Sequence, residues 1–213
     1  LSILTTDQRA ADWYKYDDEL SSATQSLTVE HSEARGGAVL HVSGGPFDEY
    51  SGIGTGLRWT VTGSEHCAYD ASHYDGVRFW ARGTSSVRVA LQNPAVRPVA
   101  LGGTCPDAGC FDSHGFDIVL TDNWQLFELA FADAAQADWG ASVGAFDPAQ
   151  IYIFEFQFPA QTNYELSLDD VRLPGHTHLR VRGADRRLGR GRRRAPAPPG
   201  PADADQERRV PTS

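Results

Sequence analysis

Methionine is missing from the 213-residue sequence, which begins at Leu1. A chain without methionine even at its first position is expected to be a processed protein or a fragment of a longer one. Long apolar runs are missing too, and no stretch approaches the ~20 residues that a membrane-spanning helix needs. We therefore expect a chain without a membrane span, folded as one domain or two small ones.

Catalytic and phosphate-binding motifs are equally absent. The sequence has no G-x-S-x-G nucleophile elbow and no H-E-x-x-H helix. The glycines at 52, 54 and 56 are followed by neither a helix start nor a lysine, so they do not form a phosphate-binding loop. Glu128 and Glu155 could serve as the acid/base pair of a glycosidase, but no pattern places them across a cleft. The sequence predicts a protein that is not an enzyme, with a glycosidase-like hydrolase as one alternative.

Cysteine is scarce, with only Cys67, Cys105 and Cys110 present. The last two bracket the segment PDAG in a glycine-rich region, which predicts a small loop closed by a disulfide bond. Two unpaired thiols are the alternative, and Cys67 could replace one partner. No cysteine or histidine spacing of the zinc-binding type occurs, so we expect no metal at these sulfurs.

Charge divides the chain into two parts. Residues 174–213 contain ten arginines and four acids, and arginine, proline, glycine and alanine dominate them. Such a segment cannot offset its ordering entropy, so we expect a folded domain over 1–173 and a disordered tail over 174–213. The folded part keeps nine basic and 24 acidic residues. Its acidity disfavours nucleic acid as a partner and favours a neutral or cationic one.

Short segments in which apolar and polar residues alternate predict at least eight β-strands. Several are bounded by glycine- and asparagine-containing turns, and they include residues 38–43, 76–82, 87–92, 116–120 and 124–131. Residues 57–61 are also strand-like, whereas residues 21–35 lack a clear period and are expected to be mostly loop. Short, regularly punctuated strands are typical of an all-β protein. We expect a jelly-roll β-sandwich of two antiparallel sheets.

Residues 151–173 combine an apolar and a polar strand face. Side chains alternate along a strand, so the aromatic residues at 152, 154, 156 and 158 are expected to build the core. Glu155 and Gln157 fall on the opposite face. If the loop 159–163 forms a simple hairpin, these two residues lie near Ser167 and Glu165 in one polar patch. If the loop instead crosses between sheets, the patch is split.

Five segments together resemble a known family: YDASHYDGVRFWARG, SSVRVALQ, DNWQLFELAFAD, FDPAQIYIFEFQF and YELSLDDVRL. They are similar to the family 11 carbohydrate-binding modules and to the galactose-binding-like domains of complex I intermediate-associated proteins. The resemblance covers roughly residues 9–173. It implies a jelly roll in which polar and aromatic side chains on one sheet face hold a polysaccharide. It also implies a structural calcium ion near the chain termini.

The resemblance points to a set of residues on the expected binding face. Sugar recognition needs aromatic rings that stack on C–H faces and planar polar groups that pair with hydroxyls. The candidate carbohydrate-binding residues are Arg78, Trp80, Arg88, Gln92, Glu155 and Gln157. The alternative is that Trp80 packs half-buried on its sheet while the charges form a solvated ladder. The aromatic residues at 13, 14 and 16 are expected to pack the start of the fold.

For calcium, Asp18 near the start could converge with Asp169 or Asp170 near the end if the terminal strands pair. The alternative is that Asp170 caps a bend and Asp18 is exposed. We expect a secreted or cell-surface monomer that binds polysaccharide without catalysis. The remaining alternative is a structural or protein-interaction sandwich of the same fold that has lost sugar binding.

Overall fold

The computed structural model describes residues 13–58, 67–106 and 109–175. Among these residues no helix is both long and apolar enough to cross a membrane. Only single 3-10 turns interrupt the strands and loops, at 94–96, 99–101, 131–133 and 148–150. The described strands, numbered β1 to β10, are Tyr14–Asp17, Thr24–Ser32, Gly37–Gly45, Ser51–Gly56, Gly76–Gly83, Ser86–Gln92, His114–Val119, Gln125–Ala130, Ile153–Phe158 and Tyr164–Arg172.

The strands form two antiparallel five-stranded sheets. Sheet A has the order β1-β4-β9-β6-β7, and sheet B has the order β2-β3-β10-β5-β8. Several consecutive strands lie in different sheets, among them the pairs β5/β6 and β9/β10. The predicted jelly-roll β-sandwich is therefore confirmed. The loop 159–163 crosses from one sheet to the other, so the polar patch expected on residues 155–167 is split.

The core lies between the inner faces of the two sheets. Phe79 from β5 meets Phe156 from β9 edge-on, with ring centroids 5.3 Å apart, and stacks on Phe127 at the same distance. Phe154 and Phe158 are buried beside them. The predicted apolar face of β9 is confirmed for Phe154, Phe156 and Phe158, because alternation along the strand carries each second side chain inward. Tyr152 precedes the strand and is only partly buried, so the prediction that it builds the core is wrong. Each fully buried phenylalanine stabilises the fold by about 1.5–3 kcal/mol.

Strand β2 is the clearest departure from the sequence-based expectation. Residues 24–32 pair with β3 over their whole length instead of forming a loop. The strand lies at the edge of sheet B, so most of its side chains are exposed, and polar residues suit such an edge. The strand-like signal at 57–61 is displaced as well. The strand is Ser51–Gly56, which the intervening glycines obscured, and residues 59–61 lie outside the described ones.

The predicted disulfide bond between Cys105 and Cys110 is present, with the two Cα atoms 5.8 Å apart. Cys67 is free and partly exposed. The tail expected over 174–213 lies outside the described residues except for its first two. The Pro174 carbonyl accepts a hydrogen bond from the Asp75 N–H at 3.1 Å, and Gly175 forms a β-bridge with residue 74.

Candidate functional site

A groove of about 960 Å³ lies on the outer face of sheet A. Strands β1, β4, β6 and β9 contribute its floor, and the loops around residues 50, 97, 111 and 139 contribute its walls. Its lining is rich in aromatic and amide side chains. The lining residues are Tyr14, Tyr16, Glu49, Tyr50, Ser51, Gln92, Arg97, Cys110, Phe111, Trp139, Ile153, Glu155, Gln157 and Phe158.

The floor depends on two glycines of β4. In the antiparallel register Gly54 lies between Tyr14 of β1 and Glu155 of β9, and Gly52 lies between Tyr16 and Gln157. A Cβ at position 54 would come within 2.5 Å of the Tyr14 hydroxyl, and one at position 52 would overlap the Tyr16 hydroxyl. The missing side chains therefore let both tyrosine rings lie across β4 and reach β9.

Glu155 is the buried acid of this floor. Its Oε1 accepts a hydrogen bond from the Tyr14 hydroxyl at 3.4 Å, and its Oε2 accepts one from Gln157 Nε2 at 3.3 Å. Burial raises the pKa of Glu155 to about 7, opposed by these hydrogen bonds and by the positive charge of Arg97. The carboxyl group therefore changes its protonation state near neutral pH.

Tyr14, Tyr16 and Tyr50 form a row of rings, which we call the tyrosine row. Neighbouring centroids are 6.2 Å and 6.5 Å apart. Burial first, and then the Glu155 carboxylate, raise the pKa of Tyr14 and Tyr16 above the usual tyrosine value. Both hydroxyls therefore remain protonated across the physiological range, and that of Tyr14 donates to Glu155.

Asp18 fixes the loop that carries Tyr50. Its carboxylate accepts hydrogen bonds from the backbone N–H groups of Glu49 at 2.6 Å and Leu20 at 3.1 Å. Its own N–H donates to the Tyr50 carbonyl at 3.1 Å. The N–H groups, that of Glu49 foremost, lower the pKa of Asp18. Asp18 is thus buried and committed to the backbone, which differs from the exposed residue considered as one alternative.

The six candidate carbohydrate-binding residues divide between the two sheets. Gln92, Glu155 and Gln157 line the groove of sheet A. Arg88 belongs to the same sheet, but its guanidinium group donates to the carbonyls of Ser113 at 3.0 Å and Ala135 at 2.6 Å. It also pairs with the Asp117 carboxylate at 3.2 Å, and its side chain is only 15% exposed. Arg88 therefore supports the neighbouring loops.

Arg78 and Trp80 lie on sheet B, away from the groove. The Arg35 guanidinium carbon lies 4.4 Å from the Trp80 ring centroid, and Arg35 Nε pairs with Asp169 Oδ2 at 2.7 Å. Arg78 faces Glu128 on β8, with 3.9 Å between Nε and Oε1. Strand β5 pairs with β8 and β10 rather than with β6, so the six residues do not share one face. The same topology separates Glu128 from Glu155.

The acids expected to bind calcium do not converge. Asp18 is held by backbone donors near β1 of sheet A, whereas Asp169 and Asp170 belong to β10 of sheet B and contact Arg35 and Arg172. Calcium requires six to eight oxygen ligands that are free to coordinate it. Within the described ranges no cluster of three or more metal-ligating side chains occurs. Asp18, Asp169 and Asp170 therefore do not fit a shared calcium ion. Binding of calcium by other residues of the protein stays an untested prediction.

The sequence patterns did not predict several of the residues that line the groove. Tyr14 and Tyr16 were expected to pack the start of the fold, yet they line the groove. The Y-x-Y pattern opposite the alternating glycines of 52–56 was the available signal. Tyr50, Phe111, Trp139 and Arg97 lie in loops without periodicity, and only the folded chain brings them to sheet A.

The fold defines the class of architecture, which is a jelly-roll β-sandwich of two five-stranded sheets. No protein-family model matches the chain, and no curated protein matches it. A family 11 carbohydrate-binding module of the cellulosomal cellulase Lic26A-Cel5E of Clostridium thermocellum is similar in structure. It has a TM-score of 0.55 and 15% identity over 82% of this chain and 92% of the module.

Two further solved structures have the same architecture. One is the family 11 module from Clostridium thermocellum in complex with a β-1,3-1,4-mixed-linked tetrasaccharide, with a TM-score of 0.55 and 14% identity over 82% of this chain and 94% of that one. The other is a family 30 module of the cellulosomal cellulase Cel9D-Cel44B of the same organism. Its TM-score is 0.53, with 14% identity over 83% and 99% of the two chains. At these identities the likeness shows the fold.

Proposed function

We propose that the groove of sheet A binds a neutral polysaccharide chain without cleaving it. The observation that carries the proposal is the tyrosine row beside the buried Glu155 and the half-buried Gln157 that donates to it. Tyrosine rings offer flat faces for the C–H surface of a sugar, and amide and carboxyl groups pair with its hydroxyls.

Charge favours a neutral glycan over an anionic one. The acidic and basic side chains that line the groove are Glu49, Glu155 and Arg97. Arg97 is already engaged, since its guanidinium group donates to the Gln92 side chain and to the Leu101 carbonyl. The acidic residues of the domain repel polyanions over a longer range. A similar module has been solved with a β-1,3-1,4-mixed-linked tetrasaccharide, so linear polysaccharides with these linkages are the first glycans to test.

The proposed setting is extracellular or at the cell surface. The disulfide bond between Cys105 and Cys110 is expected to persist in an oxidising compartment. We propose a monomer whose partner is the polysaccharide. The excess of acidic over basic residues in 1–173 disfavours nucleic acid as a partner of this domain.

Affinity electrophoresis tests the proposal with a panel of soluble polysaccharides that includes mixed-linkage β-glucan. We expect retardation by at least one glycan, its loss in Tyr16→Ala, and its retention in Trp80→Ala. Trp80 is the matched control, because it is a half-buried aromatic residue on the outer face of the opposite sheet. Circular dichroism melts establish that both variants fold.

Three results would contradict the proposal. Absence of retardation on every glycan, together with no binding on a glycan array, would favour a structural or protein-interaction sandwich. Retardation lost in Trp80→Ala but kept in Tyr16→Ala would move binding to sheet B. Release of shorter products from a retained glycan would indicate a glycosidase-like hydrolase.

A further inference from the structure

A second aromatic wall borders the groove at the edge of sheet A remote from the tyrosine row. The tyrosine row starts on β1, at one edge of the sheet, whereas Phe111 precedes β7 at the other edge. Phe111 and Trp139 both line the groove and are 43% and 64% exposed. Exposed apolar side chains that share one groove are typical of a ligand-binding site, whereas single scattered ones need no explanation.

Asp112 holds the backbone on which Trp139 stands. This carboxylate is 1% exposed, and it accepts hydrogen bonds from the N–H groups of Ala137 at 2.9 Å, Trp139 at 3.1 Å and Gly140 at 3.1 Å. Hydrogen bonds to an ionised acceptor are about twice as strong as neutral ones. A loop without regular structure thus has three backbone donors satisfied by one buried side chain.

Gln136 ties the Trp139 loop to the segment that carries Phe111. Its Nε2 donates to the carbonyls of Asp112 at 2.8 Å and Ala141 at 2.9 Å, and its Oε1 accepts from Val143 N–H at 3.0 Å. The Ala141 N–H donates to the carbonyl of Gly109 at 2.8 Å. The two loops that form this wall are therefore joined through both backbone and side chain.

The disulfide bond anchors the other side of the wall. Cys110 directly precedes Phe111, which has φ of +73°, in the left-handed region that a non-glycine residue rarely occupies. The Phe111 N–H donates to the Val96 carbonyl at 2.7 Å. Such a conformation persists only where the surroundings enforce it, and it concentrates at functional sites. Here it coincides with an aromatic ring that faces open space in a groove.

We propose that Phe111 and Trp139 form a second sugar subsite, with Asp112 and the Cys105–Cys110 disulfide as its positioning groups. The inference rests on the proposed function and deepens it, since it predicts selectivity for chain length. The tyrosine rings reach from β1 across β4 to β9, so two inter-strand spacings, on the order of 10 Å, separate them from β7. A glycan must be long enough to cross this width before it reaches both walls.

Isothermal titration calorimetry with a β-glucan oligosaccharide series, from disaccharide to hexasaccharide, tests this subsite. We expect Trp139→Ala to weaken binding of the hexasaccharide about tenfold and to leave the shortest bound ligand unaffected. Asp112→Asn is expected to show the same dependence on ligand length, because the amide leaves at least one loop N–H without its acceptor. A residue that acts only on overall stability would weaken all lengths alike.

Reduction supplies an independent test of the disulfide. We expect a phosphine reductant to weaken binding of the hexasaccharide but not of the shortest ligand, and the Cys105→Ser/Cys110→Ser double variant to reproduce this without reductant. The double variant treated with reductant is the control, since Cys67 is a free thiol in both proteins.

The outcomes separate this inference from the proposed function. If wild type binds no oligosaccharide of the series and no polysaccharide, the proposed function fails. Trp139 is exposed, so Trp139→Ala does not disturb the core. If this variant binds every length like wild type while Tyr16→Ala abolishes binding, the proposed function of the groove stands and the second subsite is refuted. Equal losses at all lengths would also refute it.

Discussion

Replacing Glu155 with glutamine should change how the stability of the domain depends on pH. Burial raises the pKa of this carboxyl from 4.5 to about 7 in the folded protein. The folded state therefore prefers the protonated acid. The stability that this preference contributes is fully present below pH 4.5 and is lost as pH rises through about 7. Glutamine has no such titration.

The size of the effect follows from the shift. One pKa unit corresponds to about 1.4 kcal/mol, so the difference between the two states amounts to roughly 3 kcal/mol across this window. Urea unfolding followed by fluorescence at pH 4.5, 6 and 8 measures it. We expect the free energy of unfolding of wild type to fall relative to Glu155→Gln as pH rises, so that the variant gains up to that amount at pH 8.

Taking the difference between wild type and variant cancels the titrations that both proteins share. Asp18 and Asp70, whose pKa values are lowered, contribute stability that is lost only as pH falls below 4. Glu128→Gln removes a negative charge from the outer face of sheet B and is the matched control, which we expect not to reproduce the effect. Parallel pH profiles for wild type and Glu155→Gln would refute the burial of an acid in the groove floor.

Three further outcomes are expected. Phe156→Ala should lower the free energy of unfolding by about 3–5 kcal/mol in urea titrations, because it empties the centre of the core, and a loss below 1 kcal/mol would contradict that position. Gly54→Ala should displace the Tyr14 ring and weaken glycan retardation without lowering the melting temperature much, whereas unchanged retardation would mean that the ring does not contact the ligand. Calcium followed by chelator should leave the melting midpoint unchanged, since the predicted ligands contact other groups, and a rise with calcium would reveal a site elsewhere.

Local patterns in the sequence predicted the strands that have one buried face and one outward face. The alternation at 154, 156 and 158 identified the core face of β9, and Glu155 and Gln157 were assigned to the opposite one. The short spacing of Cys105 and Cys110 predicted their bond. Strand β2 was missed because an edge strand needs little apolar surface, which leaves almost no periodic signal.

The residues of the site are brought together by the pairing of strands and the placing of loops, which local patterns in the sequence do not predict. Trp80 and Gln92 lie on consecutive strands joined by a short turn, and the alternation along both strands suggested one face. The turn after β5 instead crosses to the other sheet. Trp80 therefore lies on the outer face of sheet B, and Gln92 lies on the outer face of sheet A. The groove walls at Tyr50 and Trp139 are carried by loops whose place is set by the buried acids Asp18 and Asp112.

The sequence by itself indicated the all-β class, the strands with an apolar face and a disulfide bond between Cys105 and Cys110, with Cys67 as an alternative partner. Each of these follows from residues close together in the chain or from the fixed two-residue period of a strand. Only the tertiary structure decided which strands are neighbours, and hence that the tyrosine row meets Glu155 across two glycines. Sheet membership is set by contacts between residues far apart in sequence, where the alternation of side chains carries no information.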